Sequence, residues 1–223
     1  MATESDLKPM PRPILSLDRV LQAAIGLADQ GGLESLSMRK LAQVLGVEAM
    51  SLYYYVAKKD DILDGILDLV VGEMETAADG TEWKAAVRRS AISAHHILET
   101  HPWACSLMMS PARLRPARMR YMESLLGRLR RAGFSAEQTD LAYHALDSHI
   151  IGSTLWEVGY SVGLEAAGDM AAAFLRSLPI HEYPWLAEHA KQHMAIAQAG
   201  SSSFEFGLDL ILDGLERILA GRD

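Results

Sequence analysis

The feature that most constrains the fold of this chain is a very short connection between two helical segments. Ser37 is a suitable N-cap for a segment that carries apolar residues at i, i+3, i+4 and i+7 from Met38. Gly46 is expected to end this segment, and a second short helix follows. Because only about three residues, Leu45-Gly46-Val47, separate the two, the helices must cross steeply instead of lying antiparallel. This spacing predicts a helix-turn-helix over about residues 37–56.

The rest of the chain also has the apolar spacing of helices, with no internal repeat and no strand-like alternation. A first helix is expected over about residues 17–30, stopped by Gly31-Gly32, and a fourth from about Asp60 toward Gly80. Further helices are predicted at about 82–100, 102–109, 113–132, 135–162, 167–177, 184–198 and 203–220. The predicted fold class is all-α, with an N-terminal three-helix helix-turn-helix domain and a larger helical domain.

Composition and the N-terminal residues predict a folded protein that begins with a flexible arm. With 49% hydrophobic and 22% charged residues among 223, it is expected to fold around a core. The start, MATESDLKPMPRP, carries acidic groups and three prolines without an apolar run, which excludes a secretory signal and indicates a flexible arm. The expected division is a flexible arm at 1–15, a helix-turn-helix domain at 16–60 and a larger helical domain at 61–223.

The location follows from cysteine usage and hydropathy. The one cysteine, Cys105, cannot form an internal disulfide, which suits a reducing cytoplasm. The most apolar stretch, Ile150–Gly163, is interrupted by Glu157, so no segment is expected to span a bilayer. We therefore expect a cytoplasmic protein without a membrane partner.

A net charge of −8 argues at first against a nucleic-acid partner, but charge must be counted by region. Residues 1–59 contain seven basic and six acidic side chains, so the excess of acid lies in the rest of the chain. A nearly neutral segment with clustered cations on an acidic body is compatible with a small DNA-binding module.

The second helix of the predicted pair, at about 48–54, divides into two faces. Leu52 and Val56 suit the core, which leaves neighbouring side chains to face outward toward a major groove. Three consecutive tyrosines cannot all be buried on one helix face, and a phenol hydroxyl can donate to phosphate. Lys58 and Lys59 lie at the start of the next helix, where cations and backbone N–H groups meet phosphate. The candidate DNA-binding residues are Ser37, Arg39, Ala49, Met50, Ser51, Tyr53, Tyr54, Tyr55, Lys58 and Lys59.

A plainer interpretation stays open for each of these residues taken singly. Arg39, Lys40, Lys58 and Lys59 could be a solvated face, and the tyrosines could form a packed aromatic cluster. Their occurrence together, within about twenty residues of a short-turn helix pair, favours DNA binding.

The run from Leu36 to Glu48, followed by Ser51-Leu52-Tyr53, Lys59 and Leu63, resembles the DNA-binding domain of the TetR family over about residues 17–65. The resemblance implies that Tyr53 and Lys59 contact backbone phosphates and that Arg39 reads a base. Ala49-Met50 and Tyr54-Tyr55 differ from the tetracycline-binding members at base-facing positions. A different double-stranded DNA operator is therefore expected.

A second resemblance covers about residues 95–220, through His101-Pro102-Trp103, the turn at 132–135, residues 145–152 and the ending at 204–215. These pieces are similar to the effector and dimerisation domain of tetracycline-repressor-like proteins. The resemblance implies a homodimer held by a four-helix bundle. The last helix has an apolar stripe that suits such a bundle. Burial of this stripe within one chain is the alternative. The stripe consists of Phe204, Leu208, Ile211, Leu212, Leu215 and Leu219.

The resemblance also indicates which positions would hold a metal ion. Alignment from the Gly133-Phe134-Ser135 turn places Met109 and Trp156 where tetracycline-binding members use a histidine and a glutamate with Mg²⁺. Neither residue suits Mg²⁺, which prefers hard oxygen ligands, and a one-residue shift to Glu157 restores only one of the two. We expect no metal-tetracycline site, and no cofactor.

A mainly apolar small-molecule effector is expected instead, held by adaptable apolar and aromatic groups with a few polar ones. The candidate effector-binding residues are Met74, His95, Trp103, Met108, Met109, His144, Asp147 and Trp156. Plain core packing is the competing interpretation of the same residues. His95-His96-His101, Asp140-His144-Asp147 and His189-His193 have no supporting ligand cluster or paired carboxylate, so satisfied helix-face histidines are favoured over metal or catalytic roles.

The function hypothesis is a transcriptional repressor that leaves a palindromic operator when a small molecule fills its larger domain. Two rivals remain open on the sequence. A DNA-binding activator would have the same residues, and a helical enzyme or small-molecule carrier would use the same cavity. The enzyme needs a paired acid and base or a metal triad, for which the sequence gives no convincing set.

Overall fold

The computed structural model describes residues 15–76, 82–177, 179–199 and 203–221, without the side chains at 160–177, 191 and 193–199. Within these ranges the chain forms ten α-helices and no strand, which confirms the predicted all-α class. The helices are α1 (Leu17–Ser35), α2 (Met38–Leu45), α3 (Ala49–Leu52), α4 (Lys59–Gly72), α5 (Trp83–Thr100), α6 (Trp103–Met108), α7 (Pro116–Ala132), α8 (Ala136–Ser177), α9 (Pro184–Ala199) and α10 (Ser203–Ala220). Two compact units divide between Ile66 and Leu67, here called the N-terminal and C-terminal units.

Helix α1 begins and breaks where the sequence indicates. The Ser16 hydroxyl accepts a hydrogen bond from the Arg19 N–H at 3.2 Å and so caps the first turn. Gly31 and Gly32 leave the helical conformation, and Gly32 has a φ of 67°, a value that favours glycine. The predicted stop at this pair is a kink, after which the helix resumes to Ser35.

Helix α2 has the caps that the sequence predicts. The Ser37 hydroxyl accepts from the Lys40 N–H at 3.2 Å, and Gly46 ends the helix in the left-handed conformation with a φ of 66°. The next residue, Val47, donates its N–H to the Ala42 carbonyl at 3.0 Å, so the chain turns at once toward α3. Because α2 packs against both α1 and α3, the N-terminal unit closes around wholly buried Leu41 and Leu52.

The C-terminal unit is built on three helices that pack against one another, α5, α8 and α10, with α7 packed on α5 and α8. Their apolar stripes supply the core, from α5 (Val87, Ala91, Ala94, Leu98), α8 (Leu146, Ile150) and α10 (Leu208, Leu212). Gly133, with a φ of 109°, ends α7 and allows the turn into α8.

An ion-pair ladder joins α5 to α10. The Lys84 ammonium lies 2.7 Å from both the Asp213 and the Glu216 carboxylates. One turn further along α5, Arg88 contacts Asp209 at 2.7 Å and Glu205 at 2.6 Å. Because the side chains on α5 are four residues apart, they lie on one face and meet acids spaced along α10.

Three further helix boundaries differ from the prediction. Residues predicted as two helices at 135–162 and 167–177 form the single helix α8, because an internal glycine costs only about 1 kcal/mol and no proline breaks this stretch. Helix α4 ends at Gly72 instead of continuing toward Gly80, and residues 77–81 lie outside the described residues. Pro116 begins α7, because proline suits the first helical turn.

None of the helices in the described ranges combines the length and the apolar character that a membrane crossing needs.

Candidate nucleic-acid interface and effector site

Helix α3 presents one face to the core and one to solvent. Leu52 is fully buried and Val56 nearly so, as the sequence predicts, and the side chain of Met50 is 73% exposed. Ala49 and Ser51 are half-buried beside it. The tight turn at Gly46 therefore holds a short helix with small and apolar groups facing outward.

The three tyrosines after α3 have different surroundings. Tyr54 is 89% exposed and Tyr53 is 47% exposed, so both rings reach solvent. The Tyr55 hydroxyl donates a hydrogen bond to the Leu15 carbonyl at 2.7 Å, which ties the end of the turn to the residues before α1. Tyr53 and Tyr54 thus remain available to a partner, while Tyr55 contributes to local structure.

Four cationic side chains of the N-terminal unit lie on its surface, namely Arg39, Lys40, Lys58 and Lys59. Arg39 and Lys40 are exposed on α2, next to the exposed Ser37. Lys58 is exposed before α4, and the Lys59 ammonium donates a hydrogen bond to the Leu33 carbonyl at 3.3 Å. One ordinary hydrogen bond leaves further ammonium donors free for a phosphate.

The start of α4 differs from the expected phosphate site in one respect. The Asp61 carboxylate accepts hydrogen bonds from the Ala57 N–H at 2.9 Å and the Lys58 N–H at 3.0 Å. These amides are engaged by an acid of the chain itself, so the expectation that backbone N–H groups bind phosphate here is wrong for these two. The side chains of Lys58 and Lys59 are the donors that remain.

None of the cavities described for the unmasked part of the chain is lined by all eight candidate effector residues. Met74, His95, Trp103 and Met108 are buried and Asp147 is half-buried. Met109 is 58% exposed, Trp156 is 63% exposed, and His144 is also exposed, 3.6 Å from Asp140. Met74 lines a cavity of about 120 Å³ with Ala117 and Tyr121, whereas Trp156 lines a separate cleft of about 430 Å³.

Asp147 is half-buried in the C-terminal unit. Burial raises the pKa of its carboxyl group, opposed by the positive charge of Arg118. Burial likewise raises the pKa of the neighbouring Tyr143 phenol to about 12. An interior carboxyl group whose charged form is disfavoured can hydrogen-bond a ligand, so this residue remains a polar candidate in an otherwise apolar interior.

His95 is the centre of a polar cluster that sequence reasoning missed. Its Nδ1 lies 3.0 Å from the Thr154 hydroxyl, and its Nε2 lies 3.0 Å from the Glu157 carboxylate and 3.9 Å from that of Glu99. The Phe204 ring stacks on the imidazole at 3.8 Å. Burial lowers the pKa of His95, and the two carboxylates oppose that shift.

The cluster corrects the view that the histidines near residue 95 have no paired carboxylate. The i, i+4 spacing of His95 and Glu99 was a usable signal, because such residues share a helix face. Thr154 and Glu157 are on α8, about sixty residues away, and only the packing of α5 against α8 brings them to His95.

The two positions at which the resemblance implies Mg²⁺ ligands do not fit that ion. Met109 and Trp156 offer a thioether and an indole N–H, whereas Mg²⁺ needs oxygen ligands. Both side chains are more than half exposed.

Helix α10 buries most of the apolar stripe that was expected to form a dimer bundle. Phe204, Leu208, Leu212 and Leu215 are buried within the chain itself, so their burial needs no partner. Exposed apolar side chains lie at other positions of the same helix, namely Phe206, Leu210 and Ile218. A partner surface on α10 would therefore use this second set.

Comparison with known proteins gives a family match for the N-terminal helix-turn-helix and another for the C-terminal helical region. Residues 20–66 match the family model "Bacterial regulatory proteins, tetR family", and residues 76–219 match "Tetracyclin repressor-like, C-terminal domain". The HTH-type transcriptional repressor DrrR1 of Streptomyces coeruleorubidus is 34% identical, over 95% of this chain and 81% of its own length. The tetracycline repressor protein class D of Escherichia coli is 27% identical, over 91% of this chain and 89% of its own.

Among solved structures, ActR of Streptomyces coelicolor in complex with actinorhodin superposes with a TM-score of 0.75 at 30% identity, covering 91% of this chain and 96% of ActR. The chain belongs to the TetR family of bacterial transcriptional regulators. It is a ligand-responsive DNA-binding repressor and not an enzyme. Regulators of this family bind DNA operators and small-molecule ligands and function as dimers.

Proposed function

We propose that this chain acts in the cytoplasm as a homodimer that represses transcription from a palindromic double-stranded DNA operator. A small, mainly apolar molecule bound by the C-terminal unit releases it. The observation that carries this proposal is the outward face of α2, α3 and the following turn, where Arg39, Met50, Tyr53 and Tyr54 are exposed together. Residues 16–60 form the DNA-binding domain and residues 61–223 the ligand-binding and dimerisation domain.

Each exposed group has a role that its chemistry supports. The Arg39 guanidinium can bind guanine O6 and N7 in a bidentate manner, and the apolar Ala49 and Met50 can contact a thymine methyl group. Tyr53, Lys58 and Lys59 donate to phosphates, as do the hydroxyls of Ser37 and Ser51. Tyr54, the most exposed of the tyrosines, is a further contact at the groove edge, and Tyr55 positions the turn through Leu15.

The dimer is proposed to use α10 and the adjoining part of α8. Phe206 and Leu210 are spaced i, i+4 and share one exposed face of α10, and Leu155 and Trp156 are exposed on α8. An isologous interface on this face gives the two-fold symmetry that a palindromic operator requires. Half-sites are then expected about one or two DNA turns apart.

The effector is proposed to bind among the apolar groups of the C-terminal unit, with Asp147 and the polar cluster around His95 as polar contacts. Met74, Trp103 and Met108 are buried apolar side chains of the same unit and supply adaptable surface. No cavity lined by described residues joins them to the polar contacts, so ligand binding is proposed to rearrange their packing. ActR, which is 30% identical, is described in complex with actinorhodin, and this supports release by an organic molecule. The molecule must bind the conformation that does not bind DNA more tightly than the DNA-bound one. A ligand with equal affinity for both conformations does not change their populations.

The direct test measures the affinity of the full chain for DNA taken from beside its own gene, by fluorescence anisotropy at moderate salt. The double variant Tyr53→Ala, Lys59→Ala is expected to bind at least 10-fold more weakly, since two phosphate contacts are lost. The matched control Tyr183→Ala, Arg131→Ala removes the same kinds of side chain from exposed positions of the C-terminal unit. Equal affinity of the first variant and the unchanged chain, both folded by circular dichroism, would exclude the proposed interface.

The dimer is tested by sedimentation velocity on the variant Phe206→Glu, Leu210→Glu. We expect monomers, because charge on an apolar interface is not compensated. Trp185→Glu, at an exposed apolar residue of α9, is the control and should remain dimeric. A dimer that survives both substitutions in α10 places the interface elsewhere.

The ligand step is tested by a thermal-shift screen of drug-like molecules and metabolites, followed by addition of the hits to the protein–DNA complex. A ligand of the proposed kind raises the melting temperature and lowers DNA affinity. Stabilising ligands that leave DNA affinity unchanged contradict the release mechanism.

A further inference from the structure

The cluster at His95 contains three metal-ligating side chains from two helices. His95 and Glu99 lie on α5 and Glu157 lies on α8, with one ligand atom from each within 4.8 Å of the others. The imidazole is 7% exposed, whereas both carboxylates reach solvent. The polar atoms thus line an entry path that begins at the surface and ends at a buried nitrogen.

Hydrogen bonding fixes which nitrogen of His95 carries a proton. The Thr154 hydroxyl donates its single hydrogen to the Ile150 carbonyl at 2.9 Å, so toward His95 it can only accept. The Nδ1 atom at 3.0 Å from that hydroxyl is therefore the N–H donor. In the neutral ring the lone pair is on Nε2, the atom that faces both carboxylates.

Each carboxylate is also held through its other oxygen. The Ser203 hydroxyl donates to Glu157 Oε1 at 3.1 Å, which leaves Oε2 facing His95. The His96 ring lies 3.4 Å from Glu99 Oε2, which leaves Oε1 on the His95 side. Outer partners of this kind, which orient a histidine and its companion acids, are typical of metal sites.

One imidazole nitrogen and two carboxylate oxygens, all of them atoms that can bind a metal, lie within 4.8 Å of one another. A divalent cation neutralises both acids and accepts all three lone pairs.

We propose that His95, Glu99 and Glu157 form a binding site for a divalent transition-metal cation of the zinc type. Ligand distances of about 2.0–2.2 Å place tetrahedral ligand atoms roughly 3.3–3.6 Å apart, and the observed 3.0 Å and 3.9 Å separations from His95 Nε2 bracket that range. Imidazole with carboxylates suits zinc better than Mg²⁺, which avoids nitrogen ligands.

The site leaves a fourth coordination position for water or an anionic ligand, because the described protein groups supply three ligands. Glu157 and Ser203 also line the 430 Å³ cleft that contains Trp156 and His149. A bound cation would cross-link α5 to α8 beneath Phe204 of α10, which stacks on His95. The site uses neither position 109 nor position 156, and it does not rest on operator binding.

The test titrates Zn²⁺ into the full chain, stripped with a chelator, by isothermal calorimetry, and Co²⁺ by visible absorption. One cation per chain is expected, with a rise in melting temperature that added chelator reverses. Glu157→Gln is expected to weaken binding at least 10-fold, and Thr154→Val 10- to 100-fold through loss of the outer hydrogen bond. Glu99→Gln, at an exposed residue, gives a third variant whose folding is not at risk.

The control is His144→Ala, which removes the exposed His144–Asp140 pair, a similar i, i+4 pair outside the cluster. Its Zn²⁺ affinity should equal that of the unchanged chain. Absence of binding at micromolar Zn²⁺, or affinity that is unchanged in Glu157→Gln, Glu99→Gln and Thr154→Val, overturns the proposal. DNA affinity is measured separately, so failure here leaves the proposed repressor function standing.

Discussion

The cations of the two units are used differently. In the N-terminal unit Arg39, Lys40 and Lys58 are exposed, and no salt bridge among the described residues involves them. In the C-terminal unit Lys84 and Arg88 each contact two carboxylates of α10. These contacts raise the pKa of Lys84 to about 12 and also raise that of Arg88.

This difference shows how a chain with a net charge of −8 can bind a polyanion. Most of the acid lies in the C-terminal unit, where part of it is neutralised by the chain's own cations. The exposed cations near the helix-turn-helix have no such partners and can replace the counterions of DNA. The local charge of the surface that meets DNA decides whether protein and DNA attract each other, and not the net charge of the whole chain.

The largest expected effect is a loss of operator binding when a cation of the N-terminal unit is removed. Arg39→Ala should cost about 1–3 kcal/mol of operator binding and relax base preference at one position of each half-site. Arg39→Lys keeps the charge but loses bidentate geometry, so it should recover non-specific binding and not the preference. Anisotropy titrations against operators with single base changes measure both. Equal loss on all sequences would make Arg39 a phosphate contact instead.

A smaller effect is expected on the C-terminal side. Arg88→Ala removes two partly exposed ion pairs and should lower the free energy of unfolding by about 1 kcal/mol, without changing operator affinity. Urea unfolding and DNA titration of the same preparation check the two halves of the statement. A lower operator affinity in the still-folded variant would show that internal cations also serve DNA binding.

The smallest effect concerns pH. The hydrogen bonds from Arg88 hold the pKa of Asp209 below its ordinary value of 3.8. A lowered pKa in the folded state stabilises the protein above that ordinary value, and the contribution is lost as pH falls through the lowered one. Unfolding free energies between about pH 6 and about pH 3 should fall less steeply for Asp209→Asn than for the unchanged chain. Identical slopes would show that the pair is not stabilising.

Much of the N-terminal unit could be predicted because its signals are local. Ser37 and Gly46 cap α2 within a few residues of the groups they contact, and the apolar spacing assigns Leu52 and Val56 to the core. The tyrosines show the limit of such reasoning. Their sequence indicates that at least one projects, but only the contact between Tyr55 and Leu15, forty residues away, separates the structural one from the exposed two.

In the C-terminal unit the sequence predicted helices better than it predicted their surroundings. Apolar spacing identified the stripe on α10, yet whether it faces the chain's own core or a partner depends on what packs against it. The same limit applies to the effector residues, because Met and Trp at helical spacing have the same pattern whether buried, like Trp103, or exposed, like Trp156.

By itself the sequence determined an all-α chain, a capped helix-turn-helix with outward cations and tyrosines, and membership of the TetR family, because these depend on contacts within a few residues or on a contiguous motif. Only the tertiary structure decided that α10 has two apolar faces and that Glu157 meets His95. The physical reason is distance along the chain, since helices far apart in sequence pack together.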